Sequence, residues 1–90
     1  MSQIDEILFV VRGKRRKVVL FSLKDDMKTP RKISKELKLS IPNVSTSLNE
    51  LKTKGLVECK NPNDPYHKIY SITTKGKEIL KEIPKYDEML

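Results

Sequence analysis

The chain has 90 residues, 37% hydrophobic and 34% charged, with a net charge of +7 and a sequence pI near 9.6, which describes one domain with a modest core. Cys59 is the only cysteine and His67 the only histidine, so an intrachain disulfide framework and a Cys/His zinc site built by one subunit are both excluded; no metal and no cofactor are expected. No apolar run approaches the roughly twenty residues that span a bilayer, and the opening MSQIDEILFVV carries acids where a secretory signal carries positive charge, so a cytoplasmic protein without a membrane partner is expected.

Ile4, Ile7, Leu8 and Val11 recur at helical spacing and predict a first helix from Ser2 or Gln3 to Arg12, interrupted by Gly13. A second helix is expected from Lys14 to Lys24. It buries Val19, Leu20 and Leu23 and opens on the basic cluster Lys14, Arg15, Arg16 and Lys17. Thr29-Pro30, a cap residue followed by proline at the first helical position, starts a third helix over Pro30 to Lys38 that buries Ile33 and Leu37.

After a turn at Leu39-Ser40, a fourth helix is expected from Ile41 to about Lys54, with Ser40 capping its free N–H groups and Pro42 tolerated in its first turn. Ile41, Val44, Leu48 and Leu51 line one face. Pro42, Thr46, Asn49 and Glu50 point away from it, with Asn43 and Ser47 on one flank and Ser45 on the other. Gly55 can take the left-handed conformation that ends the helix. Two short amphipathic helices across such a turn make a helix-turn-helix, whose second helix is offered to the DNA major groove.

The period then changes. Residues 56–60 and 68–73 are strand-like, and the seven residues between them, NPNDPYH, favour a turn, giving a β-hairpin wing. Thr74-Lys75-Gly76 begins a last helix carrying Ile79, Leu80 and Ile83, which Pro84 stops or kinks. Tyr86, Met89 and Leu90 in the tail can pack in a partner. The expected fold is α+β, a mostly helical winged helix-turn-helix with a two-stranded wing, in a single DNA-binding domain over residues 1–90.

Charge follows the same division. Residues 29–55 hold six Lys/Arg against two acids, residues 1–28 seven against four, and residues 56–90 six of each. The excess on the proposed DNA-reading half suits a polyanion. Ser40, Pro42, Asn43, Ser45, Thr46, Ser47 and Asn49 form the expected reading surface, in which the Asn43 carboxamide can bond adenine N6 and N7 together and the hydroxyls can donate to phosphates. Lys14, Arg15, Arg16, Lys17, Lys32 and Lys35 are expected on the DNA backbone, and Tyr66, His67 and Lys68 at the wing. No glycine-rich phosphate loop, His–carboxylate motif or Cys–His pair supports catalysis. A sequence-specific regulator of double-stranded DNA is therefore expected, with a winged-helix adaptor in a transcription or replication assembly as the alternative.

A homodimer is also expected. The stripes Ile4, Ile7, Leu8, Val11 and Ile79, Leu80, Ile83 exceed what two terminal helices need to cover a small core, so helices near 3–12 and 74–83 are assigned to a twofold interface. Such a dimer sets two recognition helices roughly 34 Å apart on a palindromic operator. The alternative is that the two stripes pack on each other within one chain.

The order of these elements, and in particular LSIPNVSTSL at 39–48, KGLVEC at 54–59 and IYSITTKGKEIL at 69–80, resembles the winged helix-turn-helix regulators of archaea and bacteria, above all ArsR-like and MarR-like repressors. The resemblance runs from about Ile4 to Leu80. It implies a DNA-binding repressor whose first and last helices form the dimer interface. The third helix reads RKISKELKL and lacks the paired cysteines of metal-sensing ArsR-like proteins, and these residues specify no small-molecule effector.

Overall fold

A computed structural model describes residues 3–87, with side-chain environments as far as Pro84. The chain forms α1 (Ile4–Arg12), α2 (Lys14–Ser22), α3 (Pro30–Leu37), α4 (Ile41–Thr53), β1 (Val57–Cys59), β2 (Tyr70–Ile72) and α5 (Thr74–Asp87). The expected order of elements is observed. Their ends differ for local reasons. Lys38 takes φ 57°, a left-handed conformation that ends α3 one residue early. The strands are three residues each, shorter than the alternating runs that predict them.

Pro84 does not stop the last helix. Its ring is exposed and removes a single backbone donor, and α5 continues to Asp87. Thr73 starts α5: its hydroxyl accepts from the Gly76 N–H at 3.0 Å and donates to the Gly55 carbonyl at 2.7 Å. A Cβ at Gly76 would collide with the Leu56 carbonyl oxygen, so this position must be glycine for α5 to lie against the base of the hairpin, where Leu56 enters β1. The side chains expected to meet a partner from the tail, Tyr86, Met89 and Leu90, fall outside the described ones.

β1 and β2 are antiparallel, with Val57 opposite Ile72 and Cys59 opposite Tyr70. A third segment joins this hairpin. Lys28 N–H donates to the Tyr70 carbonyl at 3.0 Å and Tyr70 N–H returns a bond to the Lys28 carbonyl at 2.9 Å, so the stretch before α3 is tied to the wing through the main chain.

The core joins Val10, Leu20, Ile33, Leu48, Leu51 and Ile79, all fully buried, with Val19, Val44 and Leu56 between them. α1 and α5 pack against each other, which corrects the assigned dimer interface. Ile7, Val11, Ile79, Leu80 and Ile83 are buried within the chain, Leu8 is half-buried, and only Ile4 is substantially exposed, at 45%. Each such burial contributes about 1.5–3 kcal/mol to the fold, so the apolar stripes are spent inside the chain. Lys75 Nζ lies 3.5 Å from Glu6 Oε1, and Gln3 Nε2 donates to Glu78 Oε2 at 3.0 Å, along the rim of the same crossing. No helix among the described residues is long and apolar enough to cross a membrane.

Candidate nucleic-acid interface

Local capping builds the helix-turn-helix as the sequence leads one to expect. Thr29 Oγ1 accepts from Lys32 N–H and Ser40 Oγ from Asn43 N–H, each at 3.2 Å, satisfying donors that a helix start leaves open. The Ser34 hydroxyl donates to the Leu39 carbonyl and pins the turn between α3 and α4.

Val44, Leu48 and Leu51 anchor α4 in the core. Pro42, Thr46 and Asn49 stand in solvent, with Asn43 and Ser45 half-buried on opposite flanks and the capping residue Ser40 exposed. Two expectations are corrected. Ser47 is only 2% exposed, on the side of α4 that α2 approaches, so it stands at the floor of a groove rather than on the open reading surface. Ile41 is 43% exposed rather than buried: the first turn of α4 projects past the edge of the core.

Two grooves flank α4. One, of about 520 Å³, is lined by Gly13, Lys14, Arg15 and Arg16 from the start of α2 and by Asn43, Thr46, Ser47 and Glu50 from α4. Four consecutive basic residues at the start of a helix oppose its dipole, whose positive end lies there. Local energetics thus disfavours the cluster, and an anion in the groove would relieve the repulsion.

Arg16 differs from its neighbours in the cluster, because most of its donors already have partners within the chain. Its Nε and Nη2 donate to the Phe9 carbonyl at 2.8 and 2.6 Å, its Nη1 reaches Glu50 Oε2 at 3.4 Å, and its guanidinium lies 3.9 Å from the centre of the Phe9 ring. Committed to these partners, it fastens α1 and α2 to α4. Lys14 and Arg15 are exposed on the rim, and Lys17 is half-buried. Lys32 and Lys35 are exposed on α3 but line neither groove.

The other groove, of about 560 Å³, lies between Thr29, Pro30 and Arg31, the α4 residues Ile41, Ser45 and Asn49, and the wing residues Pro65 to Lys68 with Tyr70. Tyr66 is 84% exposed, and His67 and Lys68 are exposed beside it. The wing tip is held by side chains: Asn61 Oδ1 accepts from Ile69 N–H at 2.7 Å while its Nδ2 donates to the His67 carbonyl at 2.8 Å. Asp64 Oδ1 accepts from the N–H groups of His67 and Tyr66 at 2.8 and 2.9 Å, and these bonds hold its carboxyl below the usual carboxylate range. Arg31 and Ile41 were not among the expected site residues. Arg31 follows Pro30 in the first turn of α3, and its sequence position alone does not reveal that the wing folds back towards it.

A family model described as winged helix-turn-helix matches residues 15–90. The chain belongs to the winged helix-turn-helix family. No curated protein matches the sequence. Among solved structures, this winged helix is similar to a variant of ZitR from Lactococcus lactis, at 26% identity and a TM-score of 0.72, covering 86% of this chain and 53% of that one. It is equally similar to MepR of S. aureus in a complex with DNA, at 26% identity and a TM-score of 0.72, covering 97% of this chain and 75% of that one. The homodimeric winged helix-turn-helix DNA-binding domain Mb0332 from Mycobacterium bovis, a possible ArsR-family regulator, shares the fold at 20% identity and a TM-score of 0.69, covering 97% and 77%. The chain thus spans between half and about three quarters of these structures and shares their fold; a further match, at 28% identity, a TM-score of 0.64 and 86% of this chain over 50% of the other, is a MarR family transcription regulator.

Proposed function

We propose that this winged helix is a cytoplasmic transcriptional repressor that binds a palindromic double-stranded DNA operator as a homodimer. The observation that carries the reading is the electrostatic layout around α4. From Ile41 to Asn49 its outward surface is uncharged and small, and the grooves on either side are rimmed by Lys14 and Arg15 on one and by Arg31 and Lys68 on the other. A helix of this kind enters the major groove, the cations meet the two bordering phosphate strands, and Tyr66 and His67 reach along the duplex from the wing. Asn43 remains the favoured adenine contact. The similarity to MepR, whose structure contains DNA, supports the same docking for this chain.

Dimerisation rests on the part of the α1 stripe that the core leaves outside, with the charged residues around it. The outer side of α1 and α5 presents Ile4 and part of Leu8 among Asp5, Lys77, Glu78 and Lys81, a mixed surface that suits a twofold contact with charges paired across the axis. The homodimeric fold relative makes such an assembly reasonable.

Gel-shift and anisotropy titrations with the DNA upstream of the chain's own gene test the reading. Each phosphate contact contributes about −0.9 to the log–log salt slope. Lys14→Ala and Arg15→Ala should each flatten that slope while raising stability slightly, since each removes a cation that opposes the α2 dipole, and a slope near zero for the parent protein would overturn DNA binding. Sedimentation should show twice the 10.5 kDa of one chain, and Ile4→Asp should shift it to the monomer.

A further inference from the structure

On the DNA-binding reading just given, the chemistry of the α4 surface narrows which bases it can select. From Ile41 to Asn49 the helix carries no charged side chain. Guanine presents two acceptors in the major groove, met most often by Arg or Lys. The only cation within α4 is Lys52, at its far end, about 16 Å along the axis from the first turn. Adenine presents an acceptor and a donor, which suit the carboxamides of Asn43 and Asn49, and its partner thymine adds a methyl group.

Ile41 is the side chain placed to meet that methyl. It is the first helical residue after the Ser40 cap, it is 43% exposed, and it lines the same groove as Ser45 and Asn49. The core does not require it, since Val44, Leu48 and Leu51 anchor the helix. A β-branched apolar side chain at a helix start, still 43% exposed although its groove is shared with Pro30, Pro65 and Tyr66, and followed along α4 by exposed or half-exposed Pro42, hydroxyls and carboxamides, buries its remaining apolar area only when something apolar covers it. We infer that Ile41 is a specificity-determining residue that packs on a thymine methyl, and that the bases read by α4 are accordingly A·T pairs.

The test uses the full chain and short duplexes enriched by it from a random-sequence library. Each thymine of an enriched duplex is replaced in turn by deoxyuridine, which lacks only the methyl, and affinities are read by anisotropy. The protein should lose about three- to fivefold at the contacted position, the value of one buried methyl. Ile41→Ala should bind the thymine and uracil duplexes equally there, and Ile41→Val, which keeps the branched carbon, should retain the loss. Unchanged binding of every uracil duplex by the parent protein, the same loss in Ile41→Ala, or an enriched core of G·C pairs overturns the assignment while leaving DNA binding intact. Failure to bind any duplex at low salt overturns the DNA-binding reading and this one with it.

Discussion

The two grooves beside α4 have similar volumes and opposite construction. The α2 side is shaped by contacts between residues far apart in sequence: Arg16 joins the Phe9 carbonyl and the Glu50 carboxylate, and the helix crossing buries Ser47. The wing side is shaped by bonds within a nine-residue span, Asn61 to Ile69, in which side chains satisfy neighbouring main-chain groups. One groove is therefore a product of the global fold and melts with it. The other is a local structure on a stable base, free to lose its shape while the core persists.

The largest expected effect breaks the first groove. Arg16→Ala leaves the Phe9 carbonyl without its donors and Glu50 without its cation, and should lower stability by about 2–3 kcal/mol in urea unfolding. Arg16→Lys should recover little of it, since an ammonium cannot reproduce the fork that spans both partners. Gly13→Ala acts on the same contact more gently. Its new Cβ would sit 2.6 Å from Arg16 Nε, and because the obstacle is the end of a flexible side chain, the guanidinium swings away rather than the backbone. The cost should be about 1–2 kcal/mol, measured the same way.

On the wing, Asn61→Ala should cost about 1 kcal/mol or less in global stability while raising hydrogen exchange at the Ile69 amide, because the two lost bonds are local. The smallest effect is a titration. The Asp64 carboxyl is held below its ordinary range by the N–H groups of His67 and Tyr66, so these bonds are intact above the usual carboxylate pKa and fail as pH falls through the lowered value. The amide signals of Tyr66 and His67 should move in that acidic window with helical circular dichroism constant. A simultaneous loss of helix would mean that the wing is not independent of the core.

The same contrast governs what could be read from sequence. Thr29-Pro30 and Ser40 mark helix starts because capping is settled within three residues, and the hairpin is announced by its turn composition. Hydrophobic spacing identifies a stripe but not the object that covers it. The stripes of α1 and α5 cover each other, as the alternative pairing allowed, and of the residues assigned to the dimer interface only Ile4 and part of Leu8 stay outside the core. Ile41 continues the apolar period of α4 yet lies one turn beyond the core, and Ser47 breaks the period yet is buried where α2 needs a small neighbour. Arg16 belongs by sequence to a cationic run, and only the position of the Phe9 carbonyl separates it from Lys14 and Arg15.

The main-chain bridge between Lys28 and Tyr70 has a consequence for how such a molecule diversifies. It sets the distance from the base of the wing to the start of α3 by peptide groups, which any residue but proline supplies. The loop beyond that bridge can be lengthened, shortened or recomposed without moving α3 or α4. The part proposed to reach along a duplex is thereby released to change target or partner, while the spacing of α3 and α4 from the base of the wing is inherited unchanged.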